Sequence, residues 1–270
     1  MHALGVTAAA AAVIMGAGWL ASLRLRDVSI VDPLWGITYV AAGWAVLLAG
    51  EPETATARAW LLLAMVTVWG LRLGIHLAAR KWGEPEDYRY AAMRRRRSRR
   101  TFTWWSLVVV FGLQAAVIVV VSLPVQAVAG ASGTQPALGP LDWLGCAVWA
   151  VGLTFETVGD EQLRRFKSDP ANRSAVLDRG LWRYTRHPNY FGDFCVWWGI
   201  YLVAAAGGGA WTIAGPVVMS VLLVRVSGVR MLESTIADRR PGYADYLRRT
   251  SAFVPLRPRR AGEPPRGGVS

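Results

Sequence analysis

Long apolar segments alternate with short polar connections along the whole chain. Seven segments each hold enough mostly apolar residues, roughly 20, for a helix to cross the hydrocarbon core of a bilayer. This pattern predicts an all-α, polytopic membrane protein with seven transmembrane helices, in which residues 1–256 form a single membrane domain. The predicted spans are residues 3–22, 29–49, 59–79, 103–129, 140–158, 190–207 and 211–229.

The positive charges of the chain collect in the connections between these segments. Only 18% of the 270 residues are charged, yet the net charge is +12, and 28 of the 30 Lys and Arg residues, counting Arg225 near the end of segment seven, lie on the side where segments one, three, five and seven end. The positive-inside rule therefore predicts an outside N-terminus and a cytoplasmic C-terminus. Basic residues follow the first segment and do not precede it, so we interpret it as a retained span and not as a signal peptide.

A basic run, RRRRSRR at residues 94–100, is the strongest indication of a nucleic-acid partner. The run directly adjoins the fourth apolar segment, and the other basic residues also lie between apolar segments. We therefore expect no nucleic-acid partner, and we interpret the run as a stop-transfer signal in contact with anionic membrane lipids. Residues 257–270 are rich in Pro, Gly and Arg, and this basic tail is predicted to be disordered.

Three charged or histidine residues lie inside segments two and three. Asp32 is about one turn into segment two, and Arg72 and His76 share a helix face in segment three because they are four residues apart. Such groups are costly in a bilayer. Two interpretations stay open. Either Asp32 and Arg72 form a structural ion pair, with His76 at the membrane interface, or the residues line a cavity where Asp32 or His76 donates a hydrogen bond to a substrate carbonyl.

A second set of polar residues is predicted on the cytoplasmic side of segments five to seven. A stripe along the end of segment five consists of Glu156, Asp160, Arg164 and Lys167. It is also typical of a solvated helix end with Glu–Arg pairs, although Glu156 lies too deep for that explanation. The stretch RYTRHPNYFGDF then places Asn189 and Asp193 on one face of segment six. Further candidates are Tyr184, Arg186, Tyr190, Glu233, Tyr243 and Tyr246.

This combination of side chains suits a bound dinucleotide. Arginines bind phosphates, carboxylates accept hydrogen bonds from ribose hydroxyls, and aromatic rings pack on a base. The sequence has no G-x-G-x-x-G, so a Rossmann domain is not expected. No metal-ligand spacing is present either, and no metal site is expected.

Two motifs carry a resemblance to a known family. DRGLWRYTRHPNYFGDFCVWWGIYL, preceded by FETVGDEQLRRFK and followed by E-x8-G-Y-x2-Y-x8-P, resembles the C-terminal domain of the steroid 5-alpha-reductase superfamily, and in particular its bacterial seven-span branch. The resemblance covers roughly residues 25–256. It implies an enzyme of the bacterial inner membrane. NADPH would bind in a cytoplasm-facing pocket of about residues 140–256, and hydride would pass to the β-carbon of an enone in a lipid-accessible cavity.

The resemblance assigns roles to individual residues. Asp160 matches an acidic position just past segment five, and Lys167 matches a basic one. Tyr184, Asn189 and Asp193 match a Tyr-x4-Asn-x3-Glu pattern, with Asp in place of Glu.

The sequence departs from the steroid enzymes in its substrate half. Val31-Asp32 occupies the position of the Gln-Glu pair that polarises the ketone in the steroid enzymes. Trp69 or His76 takes the place of their tyrosine in segment three. A steroid is therefore not implied, and a sterol, polyprenoid, quinone-like or fatty-acyl substrate fits equally. Asp32 is the first candidate for the hydrogen-bond donor to the carbonyl and His76 the second, because negative charge develops on that oxygen during hydride addition.

Two alternatives remain. The isoprenylcysteine carboxyl methyltransferases, which bind S-adenosylmethionine, share RHP-x-Y-x-G and the E…Y-x2-Y…P tail. The larger number of predicted spans, together with Asn189 and Asp193, favours the reductase. In a non-catalytic membrane protein, the polar stretch would only be a helix entry, with Pro188 starting segment six and His187 at the interface.

Overall fold

The structure is a computed structural model that describes residues 2–50, 52–131, 136–226 and 242–259. In these ranges every regular element is a helix, and Thr185 and Ser251 form an isolated parallel bridge. The all-α prediction is confirmed for this part of the chain. The α-helices are α1 His2–Leu25, α2 Val31–Ala49, α3 Ala57–Lys81, α4 Tyr88–Arg95, α5 Arg99–Trp105, α6 Leu113–Val121, α7 Leu123–Ala129, α8 Pro140–Ser168, α9 Pro188–Ala206, α10 Ala214–Val221 and α11 Tyr243–Arg249.

Five described helices are long and apolar enough to cross a membrane, and they overlap the first five predicted spans. Helix α9 has 19 residues but is not among the five, and the apolar helix over Gly209–Arg225 is shorter. An integral membrane protein is therefore supported by length and composition. The five helices are His2–Leu25, Val28–Ala49, Ala57–Lys81, Arg99–Val121 and Pro140–Ser168.

The fourth candidate span ends earlier than the sequence predicted. It runs from α5 through a π-helical segment, Ser106–Gly112, into α6, and it stops at Val121 instead of continuing to residue 129. The Ser122 hydroxyl donates to the carbonyl of Ile118, and Pro124 then stands in the first turn of α7. Because proline has no N–H to donate to the preceding turn, the helix cannot continue through it.

The chain forms two compact units. Unit 1 comprises Met1–Gly145 and Ile200–Val218, and unit 2 comprises Cys146–Gly199 and Met219–Ser270. Unit 1 therefore holds α1 to α7, whereas unit 2 holds most of α8 and α9 and all of α11. The predicted single membrane domain over residues 1–256 stays a prediction.

Within unit 1, α2 and α3 cross where glycines face each other. A Cβ added to Gly36 would lie 2.4 Å from the carbonyl oxygen of Gly70, and one added to Gly70 would lie 2.6 Å from that of Gly36. Only hydrogen fits at these positions, so the two backbones approach as small residues allow in membrane helix pairs. Beside the crossing, the ring of Tyr39 packs edge-on against Trp35 and Trp69.

A buried ion pair joins the start of α3 to the start of α8 within unit 1. The Nε of Arg58 donates to Asp142 at 2.8 Å, and the two side chains are 2% and 1% exposed. The guanidinium also donates to the carbonyls of Pro136 and Ala137. Because both charged groups are paired and further hydrogen-bonded, their burial is compatible with a stable fold.

Candidate functional site

In unit 2, α8 and α9 bring polar side chains together at a close helix crossing. Asp160 on α8 accepts a hydrogen bond of 3.1 Å from the side-chain amide of Asn189 on α9. Glu156 lies one turn before Asp160, and Asp193 lies one turn after Asn189. The three carboxylates are buried, with exposures of 3% for Glu156, 8% for Asp160 and 7% for Asp193. The structure thus groups the acidic and amide residues that the sequence singled out.

Glycines make this crossing possible. A Cβ added to Gly152 would lie 2.5 Å from the carbonyl oxygen of Gly192, and one added to Gly192 would lie 2.5 Å from the backbone nitrogen of Glu156. One turn further along, Gly159 faces the backbone of Asn189. Small residues on both helices therefore hold the polar side chains in a backbone-to-backbone contact from which water is largely excluded.

The loop before α9 is fixed to α8 by two side chains. The backbone N–H of Leu181 donates to the side chain of Gln162 at 3.0 Å, and the indole of Trp182 donates to the carbonyl of Gly159 at 3.0 Å. Gly180 has φ +63°, a conformation that favours glycine. This loop positions the motif residues that follow it.

The C-terminal segment 242–259 binds the same loop. The Tyr246 hydroxyl donates to the carbonyl of Trp182 at 2.6 Å, the Thr185 hydroxyl donates to the carbonyl of Phe253 at 2.8 Å, and the backbone N–H of Leu256 donates to the carbonyl of Tyr184 at 3.0 Å. Burial raises the pKa of the Tyr246 phenol well above its ordinary value.

Arg186 is the centre of this contact. Its backbone N–H donates to Ser251, and its guanidinium donates to the carbonyls of Leu247 and Thr250, at 3.0 and 2.6 Å. These carbonyls lie at the C-terminal end of α11, where a cation is stabilised by the helix dipole. Arg186 therefore holds the C-terminal segment in place, a role that the sequence interpretation as a cofactor ligand did not include.

The other candidates of unit 2 occupy different environments. Arg164 is exposed and pairs with Glu161, at 2.7 Å, as expected for a solvated helix end, and Lys167 is also exposed. Tyr184 is 42% exposed. The ring of Tyr190 stacks on His187, with centroids 5.5 Å apart, and Tyr243 is buried beside Tyr246. Glu233 lies outside the described residues.

In unit 1, Asp32 meets two residues of α4. The phenol of Tyr90 donates to its carboxylate at 3.2 Å, and the guanidinium of Arg89 lies 3.8 Å away. Burial, followed by the charge of Asp32, raises the pKa of the Tyr90 phenol. The hydrogen bond to Asp87 raises the pKa of Arg89. Arg72, the partner of Asp32 proposed from the sequence, and His76, the second candidate donor, are both half-buried on α3.

Tyr90 was missed by the sequence analysis. It stands 58 residues from Asp32, and only the packing of α4 brings the two together. A signal was present in GEPEDYRY, where an aromatic residue with a polar end follows a cluster of acids just outside a predicted span. Across the described ranges, no group of three or more His, Cys, Asp and Glu residues is arranged to hold a metal ion.

The fold and these two polar clusters define a helical membrane protein with three buried carboxylates at the crossing in unit 2 and a half-buried one, Asp32, in unit 1. A family model described as a protein of unknown function, DUF1295, matches residues 18–250. The chain belongs to this family. It is also similar to an uncharacterised protein of Schizosaccharomyces pombe, with 24% identity over 262 residues that cover 88% of this chain and 75% of the yeast protein. No solved structure gives a significant match.

Proposed function

We propose that the protein is a membrane-embedded reductase that uses NADPH to reduce an activated carbon–carbon double bond of a lipophilic substrate. The family match over residues 18–250 includes the motifs that resemble the steroid 5-alpha-reductase superfamily. The proposal includes seven spans, a cytoplasmic C-terminus and a place in the bacterial inner membrane, because the basic connections alternate with nearly uncharged ones.

The observation that carries the proposal is the hydrogen bond between Asp160 and Asn189, with buried Glu156 and Asp193 one turn away on each helix. Buried carboxylates are costly unless they are hydrogen-bonded. This donor and acceptor set fits the nicotinamide ribose, since carboxylates accept from ribose hydroxyls and an amide side chain both donates and accepts.

Cations for the phosphates of NADPH are available along the same helix. Arg164 and Lys167 follow Asp160 by about one and two turns and are exposed. Exposed, flexible cations can reorient toward a phosphate without losing a buried contact. Arg186 is not free for this role, because its guanidinium binds the end of α11.

The proposed reaction also needs a hydrogen-bond donor that polarises the substrate carbonyl, and the polar residues around Asp32 are the candidates. When bound, NADPH would supply a hydride for the β-carbon of the double bond; negative charge would develop on the conjugated carbonyl oxygen and would be neutralised when the α-carbon takes a proton from solvent. A donor fixed at that oxygen lowers the barrier. Tyr90 suits this role, because its single O–H can turn from Asp32, which keeps Arg89 beside it, to the substrate oxygen, and its raised pKa keeps the phenol protonated.

The test is cofactor binding by the full chain purified in detergent. The chain has 14 tryptophans, and Trp182 and Trp198 lie in unit 2, so quenching of tryptophan fluorescence reports binding there. NADPH, NADH and S-adenosylmethionine are titrated in parallel. We expect micromolar NADPH binding that Asn189→Ala abolishes. The matched control is Asn172→Ala, which changes the other asparagine of the chain, in the 3-10 turn after α8, where its side chain donates to the carbonyl of Phe166.

Each outcome decides between the candidates. NADPH binding that is lost only in Asn189→Ala supports the reductase and justifies a screen of lipid enones. Binding of S-adenosylmethionine alone overturns it in favour of the methyltransferase, whose shared motif residues Arg186, His187 and Tyr190 have structural contacts here. If none of the three compounds binds, the proposal fails and the polar crossing of α8 and α9 is interpreted as a structural feature.

A further inference from the structure

An open pocket of about 550 Å³ lies in unit 1, where α1 ends and α5 begins. Four arginines line it, and they face a single carboxylate, that of Glu86. Its apolar wall includes Leu23 and Phe102. The arginines are Arg26, Arg94, Arg97 and Arg99.

Two of these arginines are fixed by the protein. Arg94 binds Glu86 through two hydrogen bonds, of 2.7 and 3.0 Å, and its guanidinium lies 4.4 Å from the centroid of the Phe102 ring. Arg97 donates to the carbonyl of Met93 at 3.1 Å and lies 4.0 Å from the ring centroid of Trp105. Their positive charges are therefore held in defined positions at the pocket.

The other two have unused hydrogen-bonding capacity. Within the described ranges, neither Arg26 nor Arg99 has an ion pair or a side-chain hydrogen bond, and both are exposed. The backbone of Arg26 has φ +55°, and its carbonyl accepts from Arg94. A non-glycine residue with this backbone is uncommon and is held by its surroundings. The Glu86 carboxylate is already shared between Arg94 and the backbone N–H of Val28, so it does not neutralise this second pair.

The pocket lies at the ends of two candidate membrane spans. Helix α1 and the helix that begins at Arg99 are both candidate spans, and the pocket is formed where the first ends and the second starts. Nearby, the indole of Trp19 donates to the carbonyl of Thr103 and packs against Trp104, whose ring is exposed. Tryptophans at this depth are typical of the lipid headgroup region.

We propose that this pocket is a binding site for the phosphate group of an anionic phospholipid. Arg26 and Arg99 bind the phosphate oxygens, while Arg94 and Arg97 complete the positive surface. Leu23 and Phe102 contact the glycerol and upper acyl region. The apolar wall and the position between two spans favour a lipid over a soluble phosphate compound. This goes beyond a general attraction of the basic run to the membrane, because only some of its arginines line the pocket.

The experiment uses the full chain in neutral detergent and counts bound lipids by native mass spectrometry. Phosphatidylglycerol and phosphatidylcholine are offered at equal mole fraction, with inorganic phosphate and NADPH as separate competitors. The test variant is Arg26→Gln with Arg99→Gln. The matched control is Arg95→Gln with Arg100→Gln, which removes the same charge from the same region but not from the pocket.

We expect one phosphatidylglycerol to be retained in preference to phosphatidylcholine, and about a tenfold or larger loss of that retention in the test variant. The control should change it less than about threefold. Equal losses in both variants would mean only general charge attraction and would overturn the site. Displacement of the lipid by inorganic phosphate or NADPH would assign the pocket to a soluble compound instead. If the double variant does not fold, the single variants Arg26→Gln and Arg99→Gln are compared with Arg95→Gln.

Discussion

The phenol of Tyr246 donates a 2.6 Å hydrogen bond to the backbone carbonyl of Trp182, 64 residues earlier in the chain. This bond joins the C-terminal helix to the loop that precedes α9. Both residues pack against the segment that positions the polar crossing of unit 2, so the contact couples the stability of the C-terminal segment to the geometry of that crossing.

Replacing this phenol should destabilise the protein. Tyr246→Phe removes the donor and leaves the buried carbonyl of Trp182 with one partner fewer, so we expect a loss of about 1–2 kcal/mol in the free energy of unfolding. Denaturant titration in detergent measures it. Tyr88→Phe is the control, because Tyr88 is 65% exposed, and it should change stability by less than about 0.5 kcal/mol. Equal effects would show that the bond is not stabilising.

Stability should decrease at alkaline pH. Burial raises the pKa of both Tyr246 and Tyr90 above the ordinary value of 10.0. Below about pH 10 both states keep these protons and stability is complete. Above it, the unfolded chain loses protons that the folded chain retains, so stability decreases by up to about 1.4 kcal/mol per pH unit for each phenol. Unfolding measured from pH 8 to 11 should show a shallower decrease in Tyr246→Phe with Tyr90→Phe. An unchanged slope would contradict this.

A single methyl group should disturb the crossing of α8 and α9. The Cβ of Gly192→Ala would lie 2.5 Å from the backbone nitrogen of Glu156, so the helices must separate, at a cost of about 1–3 kcal/mol. Gly16→Ala meets nothing within 4 Å and is the matched control. It should be neutral, or stabilising by up to about 1 kcal/mol, since alanine favours helices. Thermal unfolding of both variants gives the comparison, and a neutral Gly192→Ala would refute the close contact.

Removing one member of the buried pair of Arg58 and Asp142 should destabilise the protein strongly, whereas replacing both members with apolar residues should destabilise it much less. Arg58→Met leaves a buried carboxylate without its cation, at an expected cost of about 3–5 kcal/mol. Combining it with Asp142→Leu should recover most of this loss, because neither charge is then buried. A double-mutant cycle on unfolding free energies measures the coupling. Simple additivity of the two losses would be inconsistent with a direct pair.

If the chain is a reductase, Tyr90→Phe should lower kcat on a lipid enone by about 10²-fold with a much smaller change in KM. The phenol would act mainly on charge that develops in the transition state, so binding of the ground state needs it less. Tyr88→Phe, two residues earlier and exposed, should keep full activity. An unchanged kcat in Tyr90→Phe would exclude this residue from the mechanism. Asp32 and His76 would then be the remaining candidates for the hydrogen-bond donor.

Hydropathy and helix periodicity predicted the local features well. The first five predicted spans are helices in the structure, because segment length and apolar composition depend only on neighbouring residues. The shared face of Asn189 and Asp193 also follows from a four-residue spacing. The helix break at Ser122 was missed, although Pro124 was visible, because the apolar residues continue on both sides of it.

Contacts between distant residues could not be predicted in the same way. The partners of Asp32 are Tyr90 and Arg89, and those of the Arg186 guanidinium include carbonyls about 60 residues later. Every residue has a backbone carbonyl, so the sequence does not show which carbonyls accept hydrogen bonds from an arginine. An arginine that binds backbone carbonyls therefore cannot be told from the sequence apart from one that binds a phosphate. The resemblance identified Arg186 as part of a motif, but only the packing of α11 shows what its side chain contacts.

The contact between the loop before α9 and residues 242–259 has a consequence for biosynthesis. Chains are made from the N-terminus, so α9 leaves the ribosome before the residues that bind Thr185 and Arg186 exist. Unit 2 therefore completes these hydrogen bonds only after residues 242–259 have been synthesised. A messenger truncated before codon 242 would yield a protein that has its early helices but lacks the hydrogen bonds between the loop before α9 and residues 242–259. Quality-control proteases are well suited to detect such an exposed loop.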